Sequence, residues 1–228
     1  MVERRDRERD MPVQVSTNDS SALTDSDLDE FASMGGSFGI GELSKAKEDW
    51  VLVTTARVEG KLHGFTFSTL ERIGGTPCVL LGLMCVNRSA KRDQILRGLM
   101  KEAYHRALMA FPDEDVVVGS RFVSADALDA FKDLDDRTPR PGARAVGEER
   151  AWGRRLAKRF DCDGSYDEKT FIAKSNGQKG FIDFEGLKPE ALDPEQVALF
   201  KGLPKSGGAL VVYGWTMAED LVKLGKRS

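Results

Sequence analysis

The sequence predicts an α/β (α+β) protein built on a mixed, mostly antiparallel central sheet with flanking helices. Three observations carry that expectation. Residues 50–57, 62–70 and 79–86 are β-rich and are separated by Glu59-Gly60 and Gly74-Gly75, pairs suited to tight hairpin turns. The third of these runs is almost continuously apolar, as expected of a strand covered on both faces. A polar, cationic stretch (Asn87-Arg88-Ser89-Ala90-Lys91-Arg92) follows it. Apolar residues then recur at helical spacing through Ile95, Leu96, Leu99, Met100, Ala103, Ala107, Leu108 and Phe111, and residues 115–119 form another compact apolar run. Strand, crossover helix and strand imply a parallel pair beside an antiparallel meander.

The remaining elements follow in chain order. Residues 13–16 suit a short first strand. Thr24-Asp25-Ser26-Asp27 has helix-start chemistry, with acidic groups at the positive end of the dipole, and Leu28, Phe31 and Met34 follow at three-residue spacing. The glycine-rich residues 35–41 end that helix in a loop, as a connector or a pocket cover. Within 50–57, Val51, Val53 and Thr55 alternate with Leu52, Thr54 and Ala56; in the return strand Phe65 and Phe67 share a face. Ser124 is placed to cap a short helix over 124–134, with Ala127, Leu128 and Phe131 on one side. Residues 135–147, rich in Pro, Arg and Gly, read as a loop, and 148–160 as a basic helix carrying Arg150, Arg154, Arg155, Lys158 and Arg159 on a solvated face. Strands are expected at 170–173 and 180–184, around Asn176-Gly177, then at 209–213, with an amphipathic helix over 217–224. There is no internal repeat.

Composition narrows the function. Hydrophobic residues make up 40% and charged residues 31%, which suits a globular chain of one domain or one domain with a small appendage. A net charge of −3 argues against general affinity for nucleic acid or anionic membranes. No apolar run approaches the roughly 18 residues that would span a bilayer. The first ten residues form a mixed-charge stretch without the apolar centre of a secretory signal, so residues 1–12 are expected to be a disordered tail. Cys78, Cys85 and Cys162 have no metal-ligand spacing, and only His63 and His105 join them, so no metal site is expected. The odd cysteine count fits reduced thiols in the cytoplasm.

Residues 79–111 carry the main chemical clue. A strand that delivers basic residues and unsatisfied backbone N–H groups to a helix N-terminus is suited to hold an anion, usually phosphate. Lys91 and Arg92 sit there. Cations at the positive end of a helix dipole are mildly unfavourable unless an anion compensates them. The alternative is a solvated helix start. His63 and Glu71 have similar double readings, as a substrate-side base and an amine-orienting carboxylate or as ordinary strand residues. Cys85 lacks a histidine partner and reads as core packing rather than a nucleophile.

The order of these elements over residues 13–134 resembles the GNAT-type N-acetyltransferases. Three pieces carry the resemblance. Val58-Glu59-Gly60-Lys61-Leu62-His63-Gly64-Phe65 is similar to the family's hairpin, where a turn glycine leads into a hydrophobic-Gly-aromatic strand. Residues 86–96 sit where the family has a valine ending its central strand and then a basic, glycine-rich pyrophosphate loop. Counted from Val86, the basic residue falls at Lys91 and the two glycines at Gln94 and Leu96, where Leu96 adds bulk. Residues 124–134 match the segment with Asn, Ala and Tyr, here Ser124, Ala127 and Phe131. That tyrosine is the family's usual proton donor to the departing thiolate, a role phenylalanine cannot take.

The resemblance implies a GNAT-like acyl-CoA N-acyltransferase core at 13–134 and a C-terminal extension, 135–228, that completes or covers the sheet. It implies acetyl-CoA or another acyl-CoA as co-substrate. The thioester arm would lie along the strand ending at Cys85 and Val86. The pyrophosphate would sit on the N–H groups from Lys91 through Asp93 to Gln94, with charge from Lys91, Arg92 and Arg97. An amine of a small molecule or peptide would attack the thioester directly, so that catalysis is mostly positioning; the catalytic base is not specified. The departures at Gln94, Leu96 and Phe131 imply an alternative, a catalytically inactive binding or interaction protein. A third reading is a structural partner with a homodimer face on its C-terminal third.

Overall fold

Alternation of side chains across the strands decides which helix covers which face of the sheet. The structure, a computed structural model, describes residues 11–34, 38–87, 89, 91–174, 193–204 and 207–226. Residues 1–10 of the expected tail (1–12), the turn at Asn176-Gly177 and the strand at 180–184 lie outside them. The strands are β1 (Gln14–Asp19), β2 (Leu52–Val58), β3 (Lys61–Ile73), β4 (Thr76–Val86), β5 (Val116–Phe122), β6 (Asp136–Thr138), β7 (Tyr166–Asp167), β8 (Ile172–Lys174) and β9 (Gly208–Thr216). The helices are α1 (Asp25–Ala32), α2 (Ile40–Asp49), α3 (Arg92–Ala110), α4 (Gly147–Arg159), α5 (Pro194–Ala198) and α6 (Ala218–Gly225). No described helix is long and apolar enough to cross a membrane.

One mixed sheet runs in the order β1-β2-β3-β4-β5-β9-β8-β7, with β6 beside β9. Every described pairing is antiparallel except β4 with β5, which α3 connects as a crossover. This is the meander plus parallel pair that the sequence predicts. Both hairpin turns form as read: Glu59 and Gly60 have φ of 49° and 76°, and Gly74 and Gly75 have 60° and 89°, the left-handed pair such turns require. The last third of the chain supplies four strands, β6 to β9, to the same sheet.

Gly64 and Phe65 are neighbours on β3 and so point to opposite faces. A Cβ on Gly64 would lie 2.7 Å from Ile95 and 3.3 Å from Leu99, so α3 covers that face at close range. Phe65 stacks on Phe31 of α1, centroids 4.4 Å apart, on the other face, a pair worth about 1 kcal/mol beyond its buried area. There α4 joins α1: Leu156 lies 3.1 Å from the Cβ position of Gly119 on β5. Helix α6 closes over α3, where His105 Nδ1 and the Gly225 carbonyl oxygen are 3.0 Å apart. With both faces covered, β5 and all but the first residue of β4 are buried.

Helix ends follow their caps. Thr24 caps α1 in a full capping box: its backbone N–H donates to Asp27 at 2.8 Å, and Asp27 N–H donates back to the Thr24 hydroxyl at 3.3 Å. Four expectations need correction. The loop read at 35–41 gives way at Ile40 to α2, whose sequence shows no helical stripe because it buries only Leu43 and Ala46. Trp50, read as a strand residue, ends α2 instead. The segment read as a capped helix after β5 is a 3-10 turn, Ala125–Phe131, and the Ser124 side chain does not cap it. The loop read at 135–147 contains β6, a three-residue strand too short to show alternation.

Candidate functional site

The most informative geometry lies where β4 and β5 part. They pair only at Cys78–Val117, Val79–Val118 and Leu80–Gly119, although β4 continues to Val86 and β5 to Phe122. Beyond that point the Ser120 hydroxyl donates to the Leu81 carbonyl at 2.9 Å. The parting has a visible cause on β4. Thr66 faces Met84 and Ser68 faces Leu81, so β4 holds one extra residue, a bulge that bends the strand. From Met84 to Val86 one edge of β4 stays bonded to β3, while its other edge is outside the β5 ladder.

This open edge leads into the N-terminus of α3. The helix begins at Arg92 with no side-chain cap on its N-cap residue, Lys91. The Lys91 N–H donates to the Ser89 hydroxyl at 3.2 Å and the Arg92 N–H to the Ser89 carbonyl at 3.1 Å. The N–H groups of Asp93 and Gln94 fall in the first turn, where no intrahelical acceptor exists.

The seven residues assigned to the acyl donor by resemblance divide into two groups. Asp93, Gln94 and Arg97 are exposed on the first turn and a half of α3. Cys85, Val86, Lys91 and Arg92 are buried. The Cys85 thiol points toward the Met34 carbonyl, 3.8 Å away, which agrees with a packing role. Lys91 turns its ammonium to the Met11 carbonyl. Arg92 bonds Asp129 at 2.8 Å and Asp93 at 2.9 Å, so its charge braces the 3-10 turn against α3. Leu96, which takes the place of a loop glycine, is buried in the core, so its bulk does not crowd the helix start. Phe131 is fully buried and meets Phe122 edge to face, centroids 5.0 Å apart. On the α1 side β5 is covered by α4, through Leu156 at Gly119, while Phe131 of the 3-10 turn meets Phe122 at the end of β5. His63 is mostly buried and sits in a second irregularity, where β2 advances one residue and β3 two. Glu71 is taken up by Arg159, 2.7 Å away.

Three features escaped the sequence reading. Trp50 lies flat over β4 at Gly82, where a Cβ would come within 2.2 Å of its ring. An isolated glycine in an apolar strand run is the signal that marks such a close approach or a bulge. Arg121, near the end of β5, is 4% exposed, donates to the Phe160 carbonyl and stacks on the Phe160 ring at 4.8 Å. Burial holds its guanidinium well below the usual value, at about 9. Tyr166 places its hydroxyl against Gly153 of α4, and among the described residues that buried oxygen has no hydrogen-bond partner. Burial pushes its pKa far above the ordinary phenol range, so it stays protonated at neutral pH.

No family model matches the chain, and no curated protein matches it. Among solved structures, it is similar to a GNAT-family acetyltransferase from Streptococcus pneumoniae at 12% identity and a TM-score of 0.36, covering 57% of this chain and 90% of that one. It is also similar to an aminoglycoside acetyltransferase from an uncultured soil metagenomic sample, solved with sisomicin, at 16% identity and 0.34, covering 46% and 76%. A third is a ribosomal-protein-alanine N-acetyltransferase from Brucella melitensis biovar Abortus 2308, at 20% and 0.29, covering 42% and 74%. At such scores none of them lends a residue role to this chain. The meander and the β4–α3–β5 crossover that the element order predicts are both present in the strand pairing.

Proposed function

We propose that this protein binds an acyl-CoA and transfers its acyl group to an amine. The single observation that carries the reading is the parting of β4 from β5 beside an uncapped α3 N-terminus. The open edge of β4 from Met84 to Val86 offers backbone groups to the amides of a pantetheine arm, as an added strand would. The Asp93 and Gln94 N–H groups and the positive end of the α3 dipole suit a pyrophosphate. Exposed Arg97 adds charge one turn further on. The amine would attack the thioester carbonyl and form the amide bond as the carbon–sulfur bond breaks. CoA leaves as the thiolate, and the amine's proton passes to water. The protein's share is then orientation and exclusion of competing geometries, an entropic gain.

A second reading, an acyl-CoA-binding protein without turnover, is favoured by one observation. The position matched to the family's tyrosine holds Phe131, sealed against Phe122. Release of free CoA thiol in the presence of an amine separates the two readings.

Calorimetric titration with acetyl-CoA tests both, using wild type and Gln94→Glu. Gln94 is exposed, so the change leaves the core intact. A carboxylate in the first turn stabilises the helix by about 0.3–1 kcal/mol through the dipole, yet repels a pyrophosphate seated there. The expected result is an equal or higher melting temperature with at least tenfold weaker acetyl-CoA binding. A wild type that binds no acetyl-CoA at millimolar concentration rejects both readings.

A further inference from the structure

The other notable site near the parting strands is a cleft of about 210 Å³ between α2 and α4, lined by Lys45, Asp49, Trp50, Arg121, Arg159, Phe160 and Asp161. Its floor straddles the two strands. Trp50 lies on Gly82 and Arg121 projects from β5, each two residues past the last paired residues, Leu80 and Gly119. The alternation that sends Gly119 toward Leu156 of α4 sends Arg121 to the same face. We propose that this cleft binds the carboxylate of a small molecule and, on the acyl-transfer reading above, holds the acceptor by that carboxylate.

The lining supports an anion of one charge and small size. Three cations converge, Lys45, Arg121 and Arg159. Arg159 is paired with Glu71 at 2.7 Å and stacks on Trp50 at 5.3 Å. Lys45 is exposed and makes no ion pair among the described residues. Arg121 is anchored by the Phe160 carbonyl, and its planar guanidinium matches a carboxylate better than a lysine would. Trp50 and Phe160, with ring centroids 6.4 Å apart, give the cleft apolar walls, and a charge contact gains strength where water is thinned out. Burial depresses the Arg121 pKa, to about 9, and an anion beside it would favour the charged guanidinium.

Asp49 and Asp161 are exposed and lie among the lining residues. They oppose a dianion such as phosphate more than a monoanion, and they favour a ligand whose far end carries an ammonium. The volume is below the roughly 300 Å³ of sites that enclose a whole ligand, so the cleft takes a carboxylate and a few carbons.

The test labels the full chain with 5-fluorotryptophan and follows the Trp50 resonance, assigned with Trp50→Phe, by fluorine NMR. Butyrate and 4-aminobutyrate are the probes; butylamine and inorganic phosphate are the controls. Both carboxylates are expected to shift the Trp50 signal saturably, with Lys45→Glu weakening them at least tenfold and Lys174→Glu, an equal charge change on β8, by less than twofold. Arg121→Lys should also weaken binding, but Lys45 is exposed and tests the idea without loss of fold. No saturable shift with butyrate into the tens of millimolar overturns the proposal. So does a shift from butylamine or phosphate in its place, or binding that ignores Lys45→Glu. The titration contains no acyl-CoA, so its failure is distinct from failure of the transfer reading. Carboxylate binding in a protein that binds no acetyl-CoA upholds the cleft and rejects its assignment to an acceptor.

Discussion

Replacing Gly82 by alanine tests the close contact of Trp50 with β4 beside the parting of β4 from β5. The new Cβ would stand 2.2, 2.6 and 2.7 Å from three ring atoms of Trp50. Carbon atoms rest about 3.5–4.0 Å apart, so the indole must retreat by more than about 1 Å. It has little room: Trp50 is 5% exposed, with Phe160 and Arg159 against it. Overpacking of a filled core costs about 1–3 kcal/mol, and a wedged indole belongs at the upper end, near 3. Urea unfolding followed by far-UV circular dichroism would show the lower midpoint, with an unchanged slope if the denatured state is the same. The decisive arm is a double-mutant cycle. Trp50→Ala alone should cost about 3–5 kcal/mol. With the indole gone the methyl enters vacated space, and Gly82→Ala should then cost less than about 0.5 kcal/mol, a coupling of at least 2. A single Gly82→Ala variant within about 0.5 kcal/mol of wild type would refute the reasoning. An undiminished cost in the Trp50→Ala background would do so equally, by placing the strain in the β4 backbone.

Other outcomes follow from the same geometry. Phe131→Tyr should not restore a proton donor: its hydroxyl enters a sealed contact with Phe122, costs about 1–3 kcal/mol as an unsatisfied polar group, and leaves CoA-thiol release unchanged. A tenfold gain in release would contradict that placement. Asp129→Ala removes the 2.8 Å bond to buried Arg92 and should cost about 2 kcal/mol in urea unfolding, with Asp93 still in place; no change would mean that Asp93 suffices. Arg57 grips Glu30 at 2.8 and 2.5 Å and holds its carboxyl below the usual value. A depressed folded-state pKa gives stability that is present above the ordinary Glu value and lost as pH falls through the folded one. The melting-temperature gap between wild type and Glu30→Gln should therefore be largest near neutral pH and close below about pH 4; a gap that widens in acid would reverse the assignment.

Much of the topology was legible in the chain because its signals are local. The pairs Glu59-Gly60 and Gly74-Gly75 specify left-handed turn conformations, and the apolar run ending at Val86 specifies a strand with two covered faces. Thr24 and Asp27 specify a helix start whichever element lies above it. Helix α2 was not legible, since two buried side chains make no periodic stripe, nor was β6, since three residues make no alternation.

The site divides the same way. The sequence determined that a basic helix start follows a buried strand. Only the tertiary structure decided what those charges do: Lys91 turns to Met11 and Arg92 to Asp129, while Asp93 and Gln94 stay exposed. It also brought Trp50, Gly82, Arg121 and Phe160 together across more than a hundred residues of chain. The physical reason is range. Turn, cap and strand preferences act over a few residues and are written in neighbouring letters. A buried charge takes whichever partner the packing of distant elements brings within bonding distance, and no local pattern records that partner.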